Sequence, residues 1–403
     1  MKKVINMMPF FISLLVLLGL SACNNYQDGQ QVEPFVELPY YSDDSEEYES
    51  NDLDEEIFDE CSNSTTSINT NGSYIRSVNQ SNNILYLGFA LKIDDNIYFA
   101  DGVGIHKTDA TFEHIETLML NKNYQAAIRD NVAMFNSLQY HNGKIFFLSR
   151  VTETIYSMDL YGNDIAPVFS AADIDVGGRI FGFIVIDEKI YFYYNFERST
   201  LMSLNTETGE VRDYNLNPSP MFSLSSDGSE LHFVNNFSIA ALNLSTSELR
   251  DMMPSNYREL YDRVGLTHIL HRTISNNEIV FSTNSPELGG MLFVMDQQGY
   301  AREIYHDNNI RIAAEVNSLN EWIYFTATPL DDVNIHLYRI RIDGSCRELV
   351  FENLASREHG IPFIIFNILS EDLILFRPGS TFHYIYALIR NPNTLEMELK
   401  RIN

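Results

Sequence analysis

"EWIYFTATPLDDVNIHLYRIRIDGSCREL", Glu321 to Leu349, holds an aromatic apolar run, a polar loop, a second apolar run, a Gly turn and a last short run. Each run is too short for a helix and is rich in β-branched and aromatic residues, so the stretch reads as strands joined by turns. One such sheet leaves both faces apolar and cannot close a core alone. The phrase must therefore pack against copies of itself.

Copies are present. A polar pair followed by an aliphatic residue, any residue and Phe recurs as "DNIYF" at Asp95, "GKIFF" at Gly143, "EKIYF" at Glu188 and "SELHF" at Ser229. It returns as "NEIVF" at Asn277, "EWIYF" at Glu321 and "DLILF" at Asp372, with spacings of 41 to 51 residues. A second run follows most copies, as in "IYSMDL" from Ile155 or "LFVMDQ" from Leu292, and another precedes each, as in "RIFGFIVI" from Arg179. Units of about 40 to 50 residues with four short strands are the signature of a β-propeller. The fold class is therefore all-β: a seven-bladed β-propeller of four-stranded antiparallel blades over residues 72–403. Its second strands are expected near residues 97, 145, 190, 231, 279, 323 and 374. The motif Phe is expected to wedge between blades. Ring closure is open, either by packing alone or with an added strand from Ser73–Val78.

The repeat resembles a family of bacterial surface propellers filed under a domain of unknown function. Those are similar to the Tyr-Trp-Thr-Asp propellers of low-density-lipoprotein receptors. The resemblance is carried by Ile323-Tyr324-Phe325, Leu337-Tyr338-Arg339 and Asp343-Gly344-Ser345, without the repeated Asp and Trp of the receptor motif. It implies a Gram-positive source in which lipoproteins sit on the outer leaflet of a single membrane.

The amino-terminal residues point the same way. Lys2 and Lys3 precede an apolar run from Met7 to Leu20, and "LSAC" follows, Leu20 to Cys23. This is the pattern of a secretory signal, and its last four residues resemble a lipobox. The resemblance implies a signal peptide over residues 1–22, a diacylglyceryl group on Cys23, and attachment to the cytoplasmic membrane from outside. Two acyl chains anchor stably where one is marginal.

Residues 23–71 read as a disordered acidic tether. Asn24 to Tyr74 contains no Lys or Arg, and fourteen acids fall between Asp28 and Glu60. Such a segment buries too little apolar surface to order itself. The whole chain has a net charge of −28, which argues against nucleic acid as a partner. Of three cysteines, Cys61 and Cys346 remain beside Cys23. They read as unpaired thiols, with a bridge between them as the alternative in an oxidising compartment. No Cys-x-x-Cys is present, and no cofactor or metal site is expected.

In a propeller, connections between second and third strands share a face with connections between blades, and binding usually lives on such loops. The candidate rim residues are Arg150, Glu153, Phe196, Glu197, Arg198, Phe237, Asp331, Asp332, Arg377, Phe382 and His383. Mixed charge with aromatics suits a protein or carbohydrate surface. The longest insertion, from Asp251, holds Tyr257, Leu260 and Tyr261 at helical spacing and is expected to cap the rim by packing on the blades. "HILH", His268 to His271, offers two potential metal ligands and no identifiable third; "DIDVGG" from Asp173 lacks the later ligands of a calcium loop. Gly-x-Ser-x-Gly, His-Glu-x-x-His and phosphate-cradling loops are all absent. The function expected is a non-enzymatic protein- or polysaccharide-binding module at the envelope. The alternatives are a glycan-active hydrolase or lyase with carboxylates at the propeller centre, and a structural scaffold.

Overall fold

The computed structural model describes residues 88–402 except 102, 121–134, 176, 196–198, 217, 226–227, 236–237, 253, 257, 261–269, 274–277, 286–287, 357–363 and 379–383. The signal, the Cys23 lipobox, the tether and Ser73–Val78 lie outside the described residues.

Among the described residues twenty-eight strands form seven four-stranded antiparallel sheets. Within every sheet the strands are neighbours in chain order, so each blade is one uninterrupted piece of chain. The second strands are Asn96–Ala100, Lys144–Ser149, Lys189–Asn195, Glu230–Asn235, Ile279–Ser285, Trp322–Pro329 and Leu373–Pro378. Each contains the aliphatic residue and the Phe of its motif copy. First strands of consecutive blades touch around the ring, and that of blade 7, Ile364–Ser370, returns to that of blade 1, Ala90–Ile93. The fold is a seven-bladed β-propeller.

The motif Phe explains why the phrase repeats. Phe325 is fully buried and lies with Val280, Leu292 and Ile304 of the preceding blade. Phe147 packs with Leu91 and Tyr98, Phe233 with Leu201 and Tyr191, and Phe376 with Leu337 and Tyr324 in the same sense. One apolar cluster fills each of the seven seams, and the motif Phe of the following blade sits in every one. Burying a side chain of this size contributes roughly 1.5–3 kcal/mol. The Phe also faces its partner on the third strand. In four blades that partner is aromatic and the rings stack: Phe147–Tyr156, Phe281–Phe293, Phe325–Tyr338 and Phe376–Tyr386, with centroids 5.2–5.6 Å apart. Phe99 faces His106 at 5.1 Å.

The two faces of the ring are built differently. On one, which we call the turn face, chain reversals are tight. Asp94, Asn142, Asp187 and Asn320 open the hairpins between first and second strands with φ of 47–55°, a conformation Asn and Asp tolerate best among side-chain-bearing residues. Between third and fourth strands a carboxylate or amide closes the turn. Asp159 Oδ1 accepts from the N–H of Tyr161 and Asn163, Asn205 Oδ1 from Glu207 and Thr208, and Asp296 Oδ1 from Gln298 and Tyr300. Asn243 and Asn391 do the same. The opposite face, the loop face, carries the connections between second and third strands and between blades.

Among the described residues no shared strand closes the ring. The seam between blades 7 and 1 is held by Phe89, Phe99, Leu373, Leu375 and Ile385 in one cluster. Asn367 Oδ1 accepts from Phe89 N–H at 3.3 Å, and Lys400 Nζ donates to Thr111 O at 2.9 Å. No helix among these residues is long and apolar enough to cross a membrane.

Candidate functional site

The rim residues divide by position. Phe196, Glu197, Arg198, Phe237, Phe382 and His383 lie outside the described residues, as do Tyr257, Tyr261 and His268. Arg150, Glu153, Asp331, Asp332 and Arg377 are described, and they do not converge on one centre.

Arg150 and Glu153 occupy the loop after the second strand of blade 2. Glu153 has φ +47°, which turns its side chain toward blade 3. There its Oε2 accepts from Ile180 N–H at 2.9 Å, while Arg150 Nη1 donates to Ile180 O and pairs with Glu153 at 3.2 Å. The Arg150 guanidinium lies 5.2 Å from the Phe181 ring centroid. Burial pushes the Glu153 carboxyl up, and the Arg150 and Ile180 contacts oppose it. Both groups of Ile180's backbone, at the loop-face end of a first strand, are thus satisfied by the neighbouring blade.

Asn284 performs the same service with one side chain. Its Nδ2 donates to Ile312 O and its Oδ1 accepts from Ile312 N–H, both at 2.8 Å, joining blade 5 to the first strand of blade 6. Asn256, in the long insertion between blades 4 and 5, clamps both backbone groups of Ala301. Four residues on, Leu260 is buried against Ile239, Phe281 and Phe293, so the insertion packs on the blades there, as expected.

Asp332 shapes its own loop. Its Oδ1 accepts from Val333 and Asn334 N–H at 2.6 and 3.0 Å, and its Oδ2 lies 3.3 Å from His336 Nε2. His336 Nδ1 accepts from Asn353 N–H at 3.3 Å, which places the proton of the neutral ring on Nε2, facing the carboxylate. Burial works against the Asp332 anion, yet these hydrogen bonds hold its carboxyl below the ordinary value. Asp331 is exposed at the tip, between Leu330 and Val333, which are 52% and 39% exposed.

Blade 1 repeats this device with residues the rim reading missed. Asp101 Oδ1 accepts from Val103 and Gly104 N–H at 3.0 and 2.9 Å, Oδ2 meets His106 Nε2 at 3.1 Å, and His106 Nδ1 meets Thr117 Oγ1 at 3.1 Å. The signal was present in "DGVGIH" and "DVNIH": an acid opening the loop and a His after Ile on the third strand. A carboxylate, an imidazole and a hydroxyl in series is the order used in nucleophilic catalysis. Here the chain ends on the outermost strand, Glu116–Leu120, where it pins that strand at a bulge.

Arg377 was expected on a rim loop. It lies instead in the second strand of blade 7, fully buried, 4.9 Å from the Phe89 ring centroid across the closing seam. Asp173 acts locally, forming with Ser170 a capping box on the short 3-10 turn Ala171–Asp173. Cys346, expected to be an unpaired thiol, is disulfide-bonded, and its partner lies outside the described residues. Among the described residues no group of three His, Cys, Asp or Glu is placed to hold a metal ion.

The fold has many counterparts among solved structures. The β-propeller domain of the Trilobed protease from Pyrococcus furiosus, described as having an open velcro topology, aligns at TM-score 0.47 and 10% identity, covering 79% of this chain and 96% of that one. The oligogalacturonate lyase of Vibrio parahaemolyticus aligns at 0.46 and 13% identity, covering 64% and 74%. The likeness is one of fold alone. No family model and no curated protein matches the chain, so the resemblance to the surface-propeller family and its receptor relatives gains no support from comparison.

Proposed function

We propose that this chain is a membrane-anchored extracellular propeller that binds a protein or polysaccharide of the cell envelope through its loop face. One observation supports the choice of face: the turn-face reversals spend their polar groups on themselves, while the connections between second and third strands and between blades start and end at the other side. The exposed tip Leu330, Asp331 and Val333 belongs to that loop face. The lipobox at Cys23 and the one-sign segment behind it support the anchor.

The test is cross-linking capture from intact cells with the native chain and two variants. A combined L330S, D331N and V333S change is expected to lower partner recovery at least several-fold. E207Q with T208A, in a turn-face reversal, should leave recovery unchanged. Loss on the turn-face variant alone would overturn the choice of face. C23A should move the protein from the membrane to the soluble fraction; retention in the membrane would remove the anchor. Release of new reducing ends from envelope polysaccharide by the purified protein would replace binding with catalysis.

A further inference from the structure

In each blade the fourth strand is outermost, and among the described residues no further strand pairs with it. An exposed edge is a template for another strand, and proteins blunt such edges with bulges, short strands or proline. Blades 1 to 6 all show such blunting. In blades 1, 2, 5 and 6 the pairing of third with fourth strand is broken by register shifts, and blade 2 adds Pro167. In blades 3 and 4 the fourth strands, Val211–Asp213 and Leu249–Asp251, have three residues each. Blade 7 differs: Met397–Arg401 pairs with Tyr386–Arg390 over five residues without a shift.

The register tells which backbone groups face outward. Asn391 N–H donates to Glu396 O, and Ile402 N–H donates to Ile385 O, so the even-numbered residues of the strand bond inward to the third strand. The odd-numbered ones, with Leu399 at the middle, turn N–H and C=O to the outside. Glu398, Leu399 and Lys400 are exposed, Leu399 by 46%.

We infer that this edge pairs with the same edge of a second copy of the chain. Met397-Glu398-Leu399-Lys400-Arg401 is complementary to itself when run antiparallel about a twofold axis at Leu399. Leu399 then faces Leu399 of the second copy and exchanges both backbone hydrogen bonds with it. Beside it Glu398 faces Lys400 of the second copy, and symmetry makes this pair twice. These are the non-hydrogen-bonded positions, where Cα atoms approach to about 4.5 Å and opposite charges contribute most. Both side chains have capacity for the new contact. Lys400 Nζ places one of its three donors on Thr111 O, and Glu398 accepts from Asn391 Nδ2 through Oε1, leaving Oε2. Two four-stranded blades thereby become one eight-stranded sheet. The surface lies on the outer edge of blade 7, apart from the loop-face tip, and the inference does not rest on the proposed binding. A standard protein interface buries about 1,600 Å², more than a five-residue ladder supplies, so the dimer should form in the micromolar range and dissociate on dilution.

Full-length protein purified in detergent, followed by sedimentation velocity across a dilution series, gives the test. The native chain should pass from dimer to monomer. E398K and K400E each set like charges opposite one another twice, and each should raise the dissociation constant about ten-fold. The double variant E398K/K400E restores opposite charges and should associate as the native chain does. Its recovery would also show that neither change prevents the strand from folding. A monomer at every concentration would overturn the inference. So would a dimer that the single variants leave unchanged, or a double variant no better than either single one. L399C provides a second reading. At the twofold axis the two Cα atoms lie about 5.5 Å apart, within disulfide reach, so mild oxidation should give a covalent dimer that reductant separates. L249C, at an equally exposed position on the short edge of blade 4, should give none. Equal cross-linking of the two variants would mean random collision and would sink the pairing.

Discussion

Glu153 shows how a residue can be read correctly by type and placed in the wrong company. Sequence identifies a charged loop residue at the rim; it does not show that the partner is the backbone of Ile180, 27 positions away. Removing its carboxylate strands a half-buried N–H and leaves Arg150 without its counter-charge. We expect E153A to cost about 1–3 kcal/mol, and E153Q less, since an amide oxygen still accepts from Ile180. Urea denaturation followed by circular dichroism measures both. Asp101 gives a pH test. Burial raises its carboxyl, but bonds to His106 and to the N–H groups of Gly104 and Val103 prevail, so the folded value lies below the ordinary 3.8. A depressed carboxylate stabilises the fold above its unfolded pKa and loses that contribution as pH falls through the folded one. The stability advantage of the native chain over D101N should be full at pH 6 and shrink below pH 3.8. A constant difference down to pH 2.5 would count against the brace. The backbone partner of Glu153 is distant in sequence, whereas Val103, Gly104 and His106, which Asp101 holds, lie within five residues of it, which is why only the "DGVGIH" pattern was there to be found.

At the scale of strands the sequence was far more informative. All seven second strands were legible because the Phe-bearing motif answers a local demand, one apolar side chain per seam. First strands were less so: those of blades 2, 3, 4, 6 and 7 carry register shifts, and a bulge breaks the alternation that marks a strand. Inter-blade loops can also be packing elements. Gly178, just before the first strand of blade 3, leaves no room for a side chain: a Cβ there would lie 2.1 Å from Tyr194 Oη and 2.5 Å from Cζ. Tyr194 is buried in the apolar cluster between blades 2 and 3, so its ring would have to shift inside a filled seam, and G178A should destabilise by about 1–3 kcal/mol. Combining it with Y194L should restore much of that loss, a non-additive pair. Additive losses would mean that the two residues do not press on each other. Rim loops resisted reading for the opposite reason: their polar residues report solvent, strand-end capping and binding alike.

Over the whole molecule, composition and repeat length were enough to give blade number, while closure was not legible. Closure depends on Asn367, Arg377 and Phe89, which carry no sequence mark that sets them apart from other blades. Trp322, the single tryptophan, is nearly buried at the seam between blades 6 and 7, with the Arg339 guanidinium 4.1 Å from its ring centroid. Its fluorescence therefore reports on the seam between blades 6 and 7, one blade from the closure. N367A removes the acceptor for Phe89 N–H; if the ring unfolds as one unit, the Trp322 and circular dichroism transitions should fall together by about 1 kcal/mol. A tryptophan transition that separates from the other would show the seam between blades 6 and 7 opening apart from the rest of the ring.

Because every blade is a contiguous piece of chain, the ring has no privileged first residue. A circular permutant that begins at Arg179, with Ile402 joined to Gly88 by a flexible linker, severs one inter-blade connection and no ladder hydrogen bond between strands. Such termini would fall between blades 2 and 3. A propeller that shares a strand across its closure lacks this freedom. In evolutionary terms, the same arrangement lets blades be gained, lost or reordered as whole units, with each new arrangement tested only by whether its apolar seams fit.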